Sequence, residues 1–591
     1  MAVALLFGVI IFALWQTRAA MNPTYSTFWH DGSAAENRKF TLLTDEFFHD
    51  AYKNSPLSLH LAVKDLEKYG FTRPEMDLFA RSGVNSAQTL KRLKAIKRGR
   101  LSRENQITYD VMMDGLSDAS RNSYPFLSYF GYSDGVQTSM LIFAIDYRFF
   151  VEEDITDYLT LISQIPSYFS YLYEWEEKRV NAGYGLSDRV LADVREQFVN
   201  IYEEGENSCF ISSFEAKTDA FEGISAEKKE EYKAQNREIV LNKVLPAYRA
   251  TEGKLAAFTG MGTNDGGLCG FGNDGKKYYE KLLKSEASYS GSPDALYNEL
   301  YAFAQEQYDD FTRVAQSQAD TYQRWKNKEE RGMSEANEIL DFFSERITEE
   351  FPAIESTTYT VNYLSESVAA AMSKTLAYYR PSPIDSYRNG MITVNGYADG
   401  ADDMMMNTLA HEGYPGHLYQ DVYFKSKNPD PVRTCFSFSG YTEGWAVYAA
   451  NRAEYIYGYN GDTAYALLNE KQTSISYALS ALVDIGVHYY GWDQAATEAM
   501  LRNFSDMPYT TDIRGLAERM RNAVISMPGT YLSYGAGNMQ MLALRSYAEA
   551  AEGEDFDVVD FHRLVLDIGA CNFATLRKMT EEYYDMKNKR E

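Results

Sequence analysis

Histidine is scarce in this chain, with seven in 591 residues. Cysteine is scarcer, with four: Cys209, Cys269, Cys435 and Cys571. None forms a C-x-x-C pair, which excludes the usual cysteine-built structural zinc cluster. In an exported protein Cys209 and Cys269, both in sequence that reads as loop, can be joined; four free thiols fit the sequence equally. Basic charge is also short, with 58 Lys and Arg against 84 Asp and Glu and a net charge of -26. That excess repels phosphates, so nucleic acid is excluded as a partner and an anionic membrane surface disfavoured for the folded body. A long hydrophobic run is missing too. Ala2–Leu14 is almost wholly apolar, but a spanning helix needs about 20 such residues. The run fits the core of an export signal, although no basic residue precedes it. Residues 1–20 therefore read as an export signal or membrane anchor, which places the body outside the cytoplasm and limits membrane contact to that segment.

The remaining composition, 45% hydrophobic and 24% charged, is that of a globular protein. Strand signals are few; the clearest is Met391–Asn395, bracketed by Asn389–Gly390 and Gly396. Elsewhere the apolar residues recur at helical spacing, as in Leu186–Tyr202, where Ser187 is the predicted N-cap. Ile155–Glu177 and Glu227–Phe258 carry the same pattern, and Pro166 predicts a new turn or a kink in the first. Gly260–Lys276 is too glycine-rich for a helix. The fold class is thus mainly α with a small β element. A boundary near 355–360 divides a helical N-terminal half, 21–358, from a C-terminal half, 359–591, that holds the chemistry; the two read as one cooperative unit.

Two of the seven histidines fall within Leu409-Ala410-His411-Glu412-Gly413-Tyr414-Pro415-Gly416-His417. In the H-E-x-x-H motif, histidines four apart share a helix face and bind zinc while the glutamate activates water. Here they are six apart. At about 100° per residue the second is roughly 120° off the first one's face, so a regular helix cannot bring both to one metal. Two bulged residues restore the match. Pro415 has no N–H for the carbonyl of His411, and Gly413 and Gly416 relax the backbone. The helix is therefore predicted to bulge or break across Gly413–Gly416. Glu443, opening the helix after Tyr441-Thr442, is the candidate third ligand. Two imidazoles, a carboxylate and a water form an open zinc site. Zinc lowers the pKa of its water, and Glu412 is the candidate base.

These motifs resemble the bacterial domain-of-unknown-function 885 family, which is placed among gluzincin-like metallopeptidases. The resemblance spans most of the chain after residue 40. It rests on Ala377-Tyr378-Tyr379, His411–His417, Glu443-Gly444-Trp445-Ala446, Val483–His488 with Gly491-Trp492, Pro528-Gly529 with Tyr534, and Phe561-His562. Gly275 with Tyr278-Tyr279 is a weaker match. The resemblance implies a large, helical, zincin-like fold with the site in a deep cleft, His411, His417 and Glu443 as ligands and Glu412 as base. This chain departs from the family pattern at Thr530 and Ala450, and the arginine expected before Pro-Gly has Arg521 as its nearest counterpart.

Among accessory residues, His488 is the candidate donor to a tetrahedral oxyanion, followed by Tyr534 and Tyr531. Asp484, one turn earlier, is the candidate to orient the His488 ring. Asn395 and Arg521 are candidates for substrate binding, Asn395 because the Met391–Asn395 strand stands where zincins pair an edge strand with extended substrate. The expected function is zinc-dependent hydrolysis of peptide bonds, in short peptides. The alternatives are a zinc amide hydrolase acting on cell-wall peptides or isopeptides, and a non-catalytic binding protein of the same fold.

Overall fold

The computed structural model describes residues 32–588, apart from 82, 118–125, 133–134, 263–265, 330–332, 356, 365, 367–368, 370–374, 398–400 and 505–511. The apolar segment Ala2–Leu14 lies outside the described residues. Among those described, no helix is long and apolar enough to cross a membrane.

The protein is mainly helical. Local sequence explains the helices well. Ser187 caps the helix Asp188–Glu203 by accepting from Val190 N, satisfying one of the unpaired N–H groups of a first turn. Val190, Val194, Phe198 and Ile201 of that helix are buried on one face. The Glu227–Phe258 stretch forms two helices, Ala226–Ile239 and Leu245–Leu255, joined by a π-helical turn at Val240–Val244.

Three local expectations are corrected. Of the two outcomes expected at Pro166, the new turn is not found: the residue sits inside a single helix, Glu152–Arg179, whose buried face of Ile162, Ile165 and Phe169 continues past it. The glycine-rich stretch is irregular only in part, because a helix runs from Gly272 to Glu286 and buries Tyr278, Tyr279, Leu282 and Leu283. Cys209 opens the helix Cys209–Ala220 rather than lying in a loop, and all four cysteines are free.

The sheet has three strands, β1 (Thr358–Tyr363), β2 (Ala377–Arg380) and β3 (Asn389–Val394), in the order β1-β3-β2. β1 runs parallel to β3 and β2 antiparallel to it. The strand expected at the edge, β3, is therefore the central one. Its Ile392 and Val394 are fully buried, which is why its signal was the strongest, while β1, though as long, is largely exposed and β2 has only four residues. β2 is an edge strand, with Tyr378 opposite Thr393 and Tyr379 opposite Ile392.

The largest apolar cluster surrounds the His411–His417 segment. It joins Leu340 and Phe351 to Ile392, Leu409, Leu418 and Trp445, so side chains from before and after residue 358 share one core. A second cluster joins Leu283 and Leu296 to Leu479, Leu482 and Leu532.

Candidate metal centre

The helix Ala401–Glu412 stops after Glu412, and a new helix, His417–Ser426, starts at His417. Between them, Gly416 N donates to Ala410 O at 2.9 Å and Tyr419 N to Gly413 O at 3.1 Å. Each of these bonds spans six residues, where a regular helix spans four. The two additional residues are absorbed in this way, and His417 returns to His411 with ring centroids 4.7 Å apart and planes at 88°. Glycine is required at 416, since a Cβ there would lie 1.7 Å from His411 O. The Tyr414–Pro415 peptide is cis. The linker is pinned from outside by Trp445 Nε1, which donates to Pro415 O at 3.2 Å, and by a 2.5 Å hydrogen bond between Tyr414 and Thr357 hydroxyls.

Glu443 comes from a separate helix, Ser439–Tyr457. That helix touches the helix Thr530–Glu552 backbone to backbone. A Cβ on Gly444 would lie 2.5 Å from Gly537 C, and one on Gly537 would lie 2.3 Å from Gly440 O. These three glycines let the helices approach closely, and Glu443 and Tyr534 end up side by side.

The Nε2 atoms of His411 and His417 lie 3.3 and 3.4 Å from Glu443 Oε2. One ligand atom from each of the three residues lies within 4.8 Å of the others. Oε2 is buried and makes no hydrogen bond, although two ring nitrogens face it. A buried carboxylate oxygen without a partner is costly unless a cation serves it. Ligand atoms about 2.0–2.1 Å from a tetrahedral zinc stand roughly 3.3–3.4 Å apart, which matches the two nitrogen–oxygen separations. The three residues therefore fit a metal ion. Their side chains are 12%, 12% and 22% exposed, sheltered but open to solvent on one side. Burial alone would lower the pKa of His417, but Glu443, with Glu412 and Asp421 beyond it, raises it to about 9. Burial likewise opposes ionisation of Glu443, and the two imidazoles outweigh it and hold the carboxyl well below its ordinary range.

Glu412 stands next to this group without joining it. Its Oε1 is 4.0 Å from His411 Nε2, and its Oε2 accepts from Tyr379 N at 2.8 Å. In an antiparallel pair, alternate residues turn their N–H away from the partner strand. Tyr379 does so, and the outer edge of β2 thereby fixes Glu412. Tyr379 is fixed in turn, its hydroxyl donating to Asp421 at 2.8 Å.

Tyr534 lies nearly parallel to the His411 ring at 6.1 Å, and Tyr477 stacks on its other side at 5.1 Å. Burial first, then Glu443, Tyr477 and Glu412, push the Tyr534 phenol well above its usual pKa, so it stays protonated and able to donate. Tyr477 was not singled out by its sequence; among 47 tyrosines nothing local marks it. Two other contributions were open to inference, from the close Gly440-x-x-x-Gly444 and Gly535-x-Gly537 spacings.

The other candidates make no contact with the three ligand residues among the described interactions, although Tyr531 is near enough to Tyr477 to act on its phenol. His488 is fully buried; its Nδ1 accepts from Leu268 N at 3.0 Å and its Nε2 lies 2.9 Å from Val524 O. Both ring nitrogens are taken by main chain, so the ring has no free donor for an oxyanion. Asp484 does not orient it but accepts from the Tyr279 hydroxyl at 2.6 Å and from Gly529 N at 2.9 Å. Arg521 donates to Trp492 O at 3.3 Å and contributes to lowering His488. Asn395 is buried just beyond β3, its amide oxygen accepting from Tyr397 N at 3.1 Å. Tyr531 feels Asp484 after burial itself in the rise of its pKa.

A family model described as "Bacterial protein of unknown function (DUF885)" matches residues 75–579. The chain belongs to that family. No curated protein matches it. Among solved structures, the chain resembles one titled as a "putative lipoprotein" from Colwellia psychrerythraea, with 19% identity and a TM-score of 0.74, covering 93% of this chain and 99% of that one. A second, titled a "putative lipoprotein of unknown function" from Shewanella oneidensis, gives 17% identity and a TM-score of 0.56 over 91% of this chain and 99% of that one. At these identities the likeness is one of fold.

Proposed function

We propose that this protein is a zinc-dependent peptidase, with the metal held by His411, His417 and Glu443. The observation that carries the reading is the convergence of two imidazole Nε2 atoms on a buried Glu443 oxygen that has no hydrogen bond, with a further carboxylate, Glu412, held just outside the set by Tyr379 N. A zinc ion bound there supplies a Lewis acid that acidifies water and polarises a carbonyl oxygen. Glu412 accepts the proton of the attacking water and returns it to the leaving amine. The protonated Tyr534 hydroxyl donates to the oxygen that gains charge as the carbonyl becomes tetrahedral. The outer edge of β2 runs past Glu412 and offers main-chain groups to an extended peptide, which suits a substrate with a regular backbone and replaces β3 as the pairing strand. The site works outside the cytoplasm in this reading; the apolar Ala2–Leu14 run and the titles of the two structural neighbours support that placement.

The test is cleavage of a mixed peptide library, followed by mass spectrometry, with wild type, with chelator-treated protein and with Glu412→Gln. Chelator-sensitive, zinc-restored cleavage that Glu412→Gln lacks supports the reading. Cleavage that survives both treatments, or none by the zinc-loaded wild type across the library and cell-wall peptides, overturns it.

A further inference from the structure

A cavity of about 850 Å³ lies apart from the metal group, none of whose three residues lines it. It lies further along the same helices. Arg452 lines it from the Glu443 helix, Arg545 from the Tyr534 helix and Lys471 from the Tyr477 helix. Arg452 gives Nε and Nη2 to the two oxygens of Glu350, with Nε at 2.7 Å. Arg545 gives Nε to Glu549 at 2.8 Å and Nη1 to the Tyr448 hydroxyl at 3.2 Å. These contacts hold each guanidinium from one side. Among the described residues, Nη1 of Arg452 and Nη2 of Arg545 have no hydrogen-bond partner.

Both side chains are mostly buried, at 14% and 18% exposure. Burial and the proximity of Arg545 each work against the charge on Arg452, and Glu350 outweighs them. The wall also carries Glu299, Glu306, Glu470 and Glu549, so a carboxylate's place is marked by the two guanidinium nitrogens without a partner and not by net charge. Guanidinium forks match carboxylates better than they match any other common biological group except phosphate. Arg452 also lies flat on Tyr455, 4.1 Å from the ring centroid, which fixes its plane. Lys471, by contrast, is already faced by Gln307, Asp310 and Glu470.

We propose that this cavity is a receptor for the carboxylate of an organic anion, bound by the unpaired nitrogens of Arg452 and Arg545. Glu443 and Arg452 are nine residues apart on one helix, which is about 13 Å at 1.5 Å per residue. The receptor is thus a site separate from the metal group, and it does not depend on the peptidase reading. The carboxylate can come from a peptide C-terminus or from a small dicarboxylic acid.

The test uses zinc-loaded full-length Glu412→Gln protein, so that binding is read without turnover. Calorimetry is run with tetra-alanine acid, tetra-alanine amide and succinate. Binding of the acid with the amide at least tenfold weaker identifies a peptide terminus; binding of succinate alone identifies a small diacid. In either case Arg452→Gln and Arg545→Gln should each weaken binding about ten- to a hundredfold, the usual range for a lost charge-assisted hydrogen bond. Since either arginine change can unsettle the helices, Ala543→Trp, which puts a bulky side chain on the cavity wall two residues from Arg545 and leaves both arginines in place, should weaken binding at least tenfold while the melting temperature holds. Equal binding of acid and amide without succinate binding, undiminished binding by all three variants, or no binding of any probe at millimolar concentration overturns the proposal.

Discussion

His417, 12% exposed, and His488, fully buried, both lie in helical segments that stood out in the sequence, yet their surroundings are opposites. At His488, a main-chain N–H and a carbonyl occupy the two ring nitrogens, and burial, aided by Arg521, lowers the pKa to about 4. The ring acts as a neutral clamp. It ties the 487–488 turn to Leu268 and to the helix Ile513–Ser526, and the glycine-rich loop packs so closely on it that a Cβ at Gly267 would lie 2.9 Å from Nδ1. At His417, Nε2 faces a carboxylate oxygen that makes no hydrogen bond, and the pKa rises to about 9. One histidine is saturated by its own chain and the other is left with an unmet demand that a cation would fill. What separates the two histidines most clearly is the number of partners their ring nitrogens have.

The comparison can be broken or sharpened at several points. The largest effect is expected at the metal side. Glu412→Gln should retain zinc and lower kcat on a cleaved peptide by about 10²–10⁴; an unchanged kcat would remove Glu412 from the chemistry. Tyr534→Phe should lower kcat by about 10²–10³, with little change in zinc content, and a change in KM alone would make Tyr534 a binding residue. On the other side, His488→Gln should keep full zinc content but destabilise the fold by about 1–3 kcal/mol, because Leu268 N and Val524 O lose matched partners. Loss of metal with an unchanged melting temperature would place His488 in the site after all. The smallest effect is a pH dependence. His488 and His562, lowered to about 4 and about 3 by burial, contribute stability that is whole above the unfolded value near 6.5 and is lost as pH falls through the folded values. Melting curves from pH 7 to 4 should show this loss, and His488→Gln should show less of it.

The metal group was legible because its misfit was arithmetical. Histidines six apart cannot share a helix face, and Gly413, Pro415 and Gly416 supply the means of interruption, so the break followed from local chemistry. Glu443 was legible as an acid on a following helix. The roles of His488 and Asp484 were not, because whether a ring nitrogen is free depends on Leu268 and Val524, which are distant in sequence. The order of the strands was hidden for a similar reason: β3 carries the apolar signal because it is central, and its neighbours, half exposed, carry little. Arg452 gains significance only from helices packed through Gly444 and Gly537, and Tyr477 only from the close approach of its helix at Gly535.

The central claim is that His411, His417 and Glu443 form one metal site, and metal stoichiometry tests it most directly. Purified protein is loaded with zinc, dialysed and measured by elemental mass spectrometry, alongside a His411→Ala/His417→Ala variant shown by circular dichroism to be folded. The account predicts about one zinc per wild-type chain and close to none in the variant. Equal zinc in the two proteins would contradict it.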